Sequence, residues 1–336
     1  MSLGPEASVT DETTTPTADA ATREGGEKAI AGRSLKQIAW RRLKRDKVAI
    51  GGAVVVIVLI LIAILAPLLI RWFGHPIGEY HNNTLDKQLG TGLPLGHLGG
   101  ISWNYLLGVE PETGRDIFSR IVYGAQTTLA VAFFSAFVST ILGTVFGLTA
   151  GFLGGWADSV ISRTMDFLLA FPQLLFAIAL LSVLPDEFLG LGSRWSRVLV
   201  LVGVIGFFGW PYIGRIVRGQ TLSLREREFV EASRSMGARS GRILFKELLP
   251  NLAAPVLVYT TLIIPTNILT EAALSFLGVG IPPPNPSWGG MLSDAVQFYQ
   301  ADPMYMIVPG AVIFLTVLAF NLFGDGLRDA LDPKAR

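Results

Sequence analysis

The feature that most constrains this chain is a run of 23 residues, Val48–Ile70, without one charged or strongly polar side chain. As an α-helix rising about 1.5 Å per residue, the run is about 34 Å long, enough to cross a hydrocarbon core of about 30 Å. Lipid offers no hydrogen bonds to an exposed backbone, so a segment of this length crosses it as a helix. The run therefore predicts an integral membrane protein.

Five further uncharged stretches follow the first one. A charged fraction of only 16% and a mean hydropathy of +0.50 agree with a membrane protein. The third and fourth stretches are short and contain Pro172 and Pro211, so a buried helix of a soluble protein is the alternative for each. Six such stretches together predict an all-α integral membrane fold with six transmembrane helices. The predicted spans are TM1 48–70, TM2 125–152, TM3 167–184, TM4 198–214, TM5 252–277 and TM6 304–324.

Lysine and arginine counts predict the orientation. If the N-terminus is cytoplasmic, 21 of the 27 basic residues lie inside and 6 outside, as the positive-inside rule requires. Both termini are therefore predicted to be cytoplasmic. The non-membrane parts are then a disordered tail (1–34), a basic juxtamembrane segment (35–47), an extracytoplasmic segment (71–124) and a cytoplasmic loop (215–251), and residues 125–334 form a core of five helices.

Several chemistries are excluded or find no support in the sequence. A net charge of +1 argues against a nucleic-acid partner, and the lack of cysteine excludes disulfide frameworks and thiolate metal sites. No phosphate-binding loop of the Gly-x-x-x-x-Gly-Lys-[Ser/Thr] type occurs. His75, His81 and His97 are spaced unlike any common zinc site, and solvated loop histidines are the simpler interpretation. We expect no catalytic, cofactor or metal site in this chain.

The cytoplasmic loop has the pattern of two short amphipathic helices. The first has one face formed by Phe229, Ala232, Ser233 and Met236 and ends at Gly237, where the chain can turn sharply. The second has an apolar stripe of Ile243, Leu244, Leu248 and Leu249 and is expected to end at Pro250. These faces either pack on the chain's own helix ends or the lipid interface, or insert into a groove of a cytoplasmic partner.

Five motifs in order resemble one transporter family. Glu231-Ala232-Ser233, Gly237 and Leu249-Pro250-Asn251 are similar to the EAA loop of bacterial ABC importer permeases. The chain from about Ser34 onward resembles the C-type permease subunit of dipeptide/oligopeptide importers. The motifs are GRDIFSRIVYGA, GGWADSVISRTMDFLLAFPQLL, RGQTLSLREREFVEAS, EAALSFLGVGIPPPNPSWGGML and FNLFGDGLRDALDPK.

The resemblance implies a type I ABC importer permease fold and a mechanical role. The partners it implies are a second permease subunit in a heterodimer, two ABC ATPase subunits that bind ATP and magnesium, and an extracytoplasmic substrate-binding protein, all at the bacterial cytoplasmic membrane. The loop would be the coupling element in a cleft of an ATPase. The residues implied in coupling are Glu231, Ala232, Ser233, Gly237, Leu249 and Pro250, with Gly237 as the elbow.

Two groups in the spans leave alternatives open. Glu271 lies near the outer end of TM5 and Trp288 in the Pro- and Gly-rich segment after it, so both are candidates for the translocation pathway or its outer gate, with a structural role as the alternative. Gly143, Gly147 and Gly151 would let another helix approach closely, either in a second permease subunit or within this chain.

The function predicted from the sequence is a permease subunit of an ATP-driven peptide importer that couples to its ATPases through the EAA loop. The same machine with another cargo, such as a nickel chelate or glutathione, is the nearest alternative. A self-sufficient channel or secondary transporter would leave the cytoplasmic loop without a purpose. A membrane-embedded enzyme would need polar residues at mid-membrane depth, which the spans nearly lack.

Overall fold

The computed structural model describes residues 40–86, 90–96, 98–185, 187 and 190–331. The predictions for the tail 1–34, for residues 35–39, for His97 and for residues 332–334 lie outside these ranges. The described residues form helices and loops, with only two isolated β-bridges. The helices are α1 Lys47–Ile64, α2 Ala66–Phe73, α3 Ile117–Leu153, α4 Gly155–Ala170, α5 Gln173–Val183, α6 Ser193–Arg225, α7 Glu228–Ser235, α8 Ser240–Phe276, α9 Trp288–Ala295 and α10 Pro303–Leu331.

Helices α3, α6, α8 and α10 are longer than the uncharged runs that predicted them, whereas the first predicted span is divided at Leu65 between α1 and α2. Helix α3 begins at Ile117, where the predicted span begins at residue 125, and α6 covers Ser193–Arg225 around the predicted 198–214. The carboxylate of Asp116 starts α3 by accepting a hydrogen bond from the amide of Phe118 at 3.1 Å. An uncharged run marks the lipid-crossing part of a helix, whereas the helix continues wherever its backbone bonds continue.

The third predicted span is broken rather than straight. Helices α4 and α5 meet at an angle of 79°. Among the described residues, five helices are long and apolar enough to cross a membrane, or six if this bent pair is one span. The break falls at Phe171–Pro172, because proline cannot donate the backbone hydrogen bond that would continue α4. Pro211, by contrast, lies inside the continuous helix α6.

The glycine stripe of α3 packs within this chain. A Cβ atom added at Gly143 would lie 2.9 Å from the carbonyl oxygen of Trp210, and one at Gly151 would lie 2.7 Å from Cβ of Thr221. Gly147 meets the backbone of α6 as closely. The stripe therefore lets α3 and α6 pack backbone against backbone, which decides between the two alternatives for these glycines in favour of contact inside the chain.

The remaining helices complete one bundle around a common apolar core. Helix α1 packs along α10, and α8 lies against both α3 and α10. The short helix α9 covers the outer ends of α8 and α10. The core continues to the inner side, where Val230 and Ile243 of the cytoplasmic loop belong to the same buried cluster as Phe152 of α3. The cytoplasmic loop is thus part of the bundle and not a separate unit.

Candidate coupling site

Helix α7 is a short helix held to the bundle by a narrow buried face. Arg227 precedes it with an extended backbone, and Glu228 and Glu231 lie in its first turn, where carboxylates interact favourably with the helix dipole. Val230 is fully buried and Ser233 is nearly so, with 0% and 7% of their surface exposed. A Val and a Ser one turn apart are therefore what fixes α7 to the transmembrane core.

The elbow after α7 is a Schellman motif centred on Gly237. The amide of Gly237 donates to the carbonyl of Arg234 at 2.9 Å, and the amide of Ala238 donates to the carbonyl of Ser233 at 3.0 Å. Gly237 has φ +79°, a conformation that side chains with a Cβ disfavour. The predicted elbow position thus has the backbone conformation that glycine serves best.

The space beside Gly237 is open. A Cβ added at Gly237 meets no atom of the described residues within 4 Å. Crowding within the described part of the chain therefore does not require glycine at this position. A side chain at this position would be opposed by its own backbone conformation and by whatever partner occupies the open side.

The second half of the loop is continuous with α8 and does not end at Pro250. A π-helical turn runs over Ile243–Leu248 and passes directly into the helix Leu249–Phe276. The amide of Leu249 donates to the carbonyl of Leu244, five residues back, so the wider turn carries the chain past Pro250, which lacks an amide proton. The prediction that the helix ends at Pro250 is wrong for this reason.

The π turn also explains the apolar stripe of this half. Its members form two pairs, each five residues apart, and five residues is the hydrogen-bond spacing of a π turn. Ile243 and Leu248 are buried, and Leu244 and Leu249 are half-buried. The predicted stripe therefore packs on the chain's own core.

Two arginines tie the elbow to the inner end of α3. The guanidinium of Arg234 lies over the ring of Phe152, 5.6 Å from its centroid, and Nη1 of Arg225 donates to the carbonyl of Gly151 at 3.1 Å. Both contacts end on the last turn of α3. A displacement of α7 would therefore act directly on α3, one of the two longest helices of the described residues.

The first predicted face faces away from the chain. Phe229 and Ala232 are exposed, Met236 is 81% exposed, and only Ser233 of that face is buried. Phe245, on the neighbouring helix, is 67% exposed as well. The alternative in which both loop helices pack on the chain itself therefore holds for the second helix but not for the first. We call Phe229, Ala232, Met236 and Phe245 the elbow patch.

The other predicted coupling residues surround this patch. Glu231, Gly237 and Pro250 are exposed, Leu249 is half-buried, and Ser233 is buried beneath them. The sequence did not single out Val230, Phe245 or the Arg234–Phe152 pair. Val230 and Phe229 are adjacent and both apolar. Only the spacing of apolar residues along the helix could have shown which of the two faces inward, and a helix of eight residues has too few positions to define that spacing well.

Glu271 and Trp288, the outer-gate candidates, are both fully buried. The Glu271 carboxylate accepts hydrogen bonds from Oγ1 of Thr128 at 2.9 Å and Oγ of Ser275 at 2.7 Å. Nε1 of Trp288 donates to the carbonyl of Ile121 at 3.0 Å. In this conformation they join α3, α8 and α9, so their burial supports the structural alternative over a surface at the outer gate.

The histidines form no metal site among the described residues. His75 and His81 pack around Tyr105, with ring centroids 4.7 and 5.4 Å from the tyrosine ring. Burial raises the pKa of the Tyr105 phenol, with a smaller effect of the same sign from Asp116. No group of three or more His, Asp or Glu side chains in the described ranges could hold a metal ion. An aromatic cluster therefore organises this part of the extracytoplasmic segment.

Comparisons with known proteins agree with this arrangement. Residues 143–336 match the family described as binding-protein-dependent transport system inner membrane component, and residues 34–85 match the N-terminal TM domain of oligopeptide transport permease C. The chain is 43% identical over 298 residues to the dipeptide transport system permease protein DppC of Alkalihalophilus pseudofirmus, covering 89% of this chain and 90% of that protein. It is 42% identical over 298 residues to the glutathione transport system permease protein GsiD of Escherichia coli O157:H7, covering 88% and 90%.

Among solved structures, an inward-facing MetNI methionine ABC transporter is similar, with a TM-score of 0.49 and 20% identity, over 64% of this chain and 98% of that one. The family match alone covers more than half of the residues, and it includes the elbow patch and the whole of α8. The chain belongs to the family of binding-protein-dependent transport system inner membrane components, the permease subunits of ABC importers.

Proposed function

We propose that this chain forms one half of the translocation pathway of an ATP-driven importer for di- and oligopeptides, and that the elbow patch transmits ATPase movement to it. A second permease subunit supplies the other half. Two ABC ATPase subunits bind ATP and magnesium, so this chain itself carries no catalytic centre or cofactor. A substrate-binding protein delivers the cargo from outside, and the complex works in a bacterial cytoplasmic membrane.

The exposed elbow patch is the observation that carries the proposal. Phe229 and Met236 offer an apolar face to the cytoplasmic side, while Val230, one residue from Phe229, is fully buried in the transmembrane core. An exposed apolar face on a helix with a firm base is suited to a groove of a partner protein. The Arg234–Phe152 contact then gives the force a route into α3.

The cargo is proposed from the relatives. One relative is named for dipeptides and another for glutathione, a small peptide with its own carboxylates. We favour di- and oligopeptides, with glutathione as the second candidate for the same machine. Nothing in the bundle itself favours a self-sufficient channel or a secondary transporter, because each leaves the elbow patch without an occupant.

A cysteine cross-link tests the coupling role, and the natural chain is free of cysteine. Ala232→Cys, on the elbow patch, is expected to form a cross-link with an ATPase subunit in intact membranes, and ATP is expected to change its yield. Gln300→Cys, exposed in the loop before α10 on the opposite side of the membrane, is the control and is expected to form none.

Purification of the tagged chain from native membranes tests the assembly. We expect a second six-span permease and ATPases with phosphate-binding loops to co-purify with it. Recovery of the folded chain alone, without a cross-link from Ala232→Cys, would contradict the importer and favour a channel. Transport of glutathione but not of dialanine by the reconstituted complex would keep the machine and change the cargo.

A further inference from the structure

The outer end of the bundle contains a cavity of about 400 Å³ that the coupling function does not use. It lies between the start of α3, the start of α6, the end of α8, and α9. The Pro- and Gly-rich segment after α8 forms one wall, so several prolines hold that wall rigid. The volume is in the range of pockets that bind small molecules. We call this cavity the outer pocket.

Basic side chains converge on the outer pocket. Arg115, Arg120 and Arg197 all line it, and each of them is mostly buried. Nε of Arg115 lies 2.7 Å from the carboxylate of Glu110, and Arg120 pairs with the same carboxylate. Glu110 is 1% exposed and is therefore shared between two buried guanidinium groups. Two guanidinium groups and one carboxylate leave this cluster with a net charge of +1.

One carboxylate of the outer pocket is left without a direct partner. Asp294 of α9 lines the cavity, is exposed at its mouth, and makes no hydrogen bond or ion pair to another described residue. Partial burial raises the pKa of Asp294, and the negative charge of Glu110 raises it further, whereas Arg120 and Arg115 lower it. A ligand cation beside Asp294 would offset both unfavourable effects. The pocket thus offers surplus positive charge inside and a free carboxylate at its mouth.

We propose that the outer pocket is a transient site for the zwitterionic backbone of a short peptide, whose carboxylate faces Arg115 and Arg120 and whose ammonium faces Asp294. This inference rests on the proposed function and deepens it. Guanidinium groups bind carboxylates in a planar, two-bond geometry, which suits a peptide C-terminus. The site would hold a peptide at the outer mouth of the permease after its release from the binding protein.

Arg115 and Asp294 are the residues to substitute, because neither supports the fold alone. Without Arg115, Glu110 keeps Arg120 as its ion-pair partner, and it still accepts hydrogen bonds from Thr113 at 3.0 Å and from Tyr305 at 3.1 Å. Asp294 holds no structural bond. The matched controls are Arg163→Gln and Asp325→Asn, which remove the same charges from exposed positions at the inner side.

The test uses the complete permease–ATPase complex in detergent without its binding protein. Equilibrium dialysis measures the binding of dialanine, of dialanine amide and of N-acetyl-dialanine. The wild type is expected to bind dialanine at least about tenfold more tightly than either blocked probe, the usual effect of losing one charge-assisted contact. Arg115→Gln should abolish the discrimination against the amide, and Asp294→Asn should abolish the discrimination against the N-acetyl form.

Each other result overturns the site. Variants that bind like their controls, or that weaken all three probes equally, show that the outer pocket does not read the peptide termini. Unchanged peptide binding with lost docking of the binding protein shows that a protein side chain occupies it instead. Asp294→Asn keeps the test decisive if Arg115→Gln fails to fold. Uptake of dialanine by proteoliposomes that contain the wild-type complex with all its partners tests the proposed function separately. The proposed peptide site and the proposed function can therefore fail independently.

Discussion

The two ends of this bundle differ in whether their side chains find partners within the chain. At the outer end, the buried carboxylate of Glu110 contacts Arg115, Arg120 and Tyr305, so polar groups from distant parts of the chain satisfy one another. At the inner end, Phe229 and Met236 expose apolar surface that the described part of this chain leaves uncovered. The outer end is therefore built as a clamp within the chain, and the inner end as a surface for another chain.

The largest expected effect comes from breaking the outer clamp. Glu110→Gln leaves the Arg115 and Arg120 guanidinium groups buried without their shared counter-charge, and such a loss typically destabilises by about 3–5 kcal/mol. We expect a lower thermal midpoint of the purified complex and a lower yield from membranes. Thermal unfolding in detergent measures the change.

Glu231→Gln is the control for that substitution, because it removes the same charge from an exposed position on α7. It should leave the thermal midpoint almost unchanged. Equal losses of stability in the two variants would show that the outer ion pairs do not clamp the bundle, and the contrast between the two ends would then disappear.

The inner end can be tested with two residues of α7 and its elbow. Val230→Ala removes two fully buried methyl groups and should destabilise the attachment of α7 by about 2 kcal/mol. Met236→Ala should leave stability almost unchanged and reduce ATPase binding and peptide uptake, because 81% of its surface is exposed. Thermal unfolding and co-purification of the ATPases separate the two effects. A Met236→Ala variant that keeps full ATPase binding and uptake would remove this side chain from the docking surface.

The sequence predicted what depends on local pattern, and it missed what depends on distant contacts. Runs such as Val48–Ile70 predicted spans, because a membrane requires a charge-free length. Gly237 was identified as the elbow, because a helix end favours glycine locally. Glu110, however, meets Tyr305 across 195 positions of the sequence, and no spacing rule relates them. The π turn at Ile243–Leu248 was not predicted either, because an apolar stripe is interpreted with the periodicity of an α-helix.

Gly237 distinguishes backbone strain from obstruction of the partner. A non-glycine residue at φ +79° costs about 1–2 kcal/mol, and asparagine tolerates this conformation better than alanine does. Because a Cβ at this position has open space, Gly237→Asn should fold well and keep partial uptake, and Gly237→Ala should lose more stability. Gly237→Leu should abolish uptake, because its side chain also projects into the docking side.

Peptide uptake and the thermal midpoint are measured for each of the three Gly237 variants. If strain alone matters, uptake follows stability across all three variants. If the partner cleft matters, Gly237→Leu loses far more uptake than its stability explains. Full transport by Gly237→Leu with the ATPases bound would show that the elbow takes no part in coupling. The inner end would then no longer differ from the outer end as a surface for another chain.

The smallest effect concerns Asp302, a buried carboxylate at the start of α10 on the outer side. Burial raises its pKa, although the backbone amides of Met304 and Tyr305 act in the opposite direction. A folded-state pKa raised above the unfolded value of about 3.9 means that its contribution to stability is complete below that pH and is lost as pH rises through the folded value. Asparagine keeps the size and polarity of the side chain and cannot ionise, so Asp302→Asn should raise stability at pH 7.5 by less than about 1 kcal/mol and leave it unchanged near pH 4. Thermal midpoints at both pH values measure this difference, with Asp302→Ala as the variant that removes the carboxyl group. A gain that is larger at pH 4 than at pH 7.5 would mean that the folded protein favours the charged form of Asp302. The polar groups near Asp302 would then need its charge as a partner, whereas those around Glu110 satisfy one another.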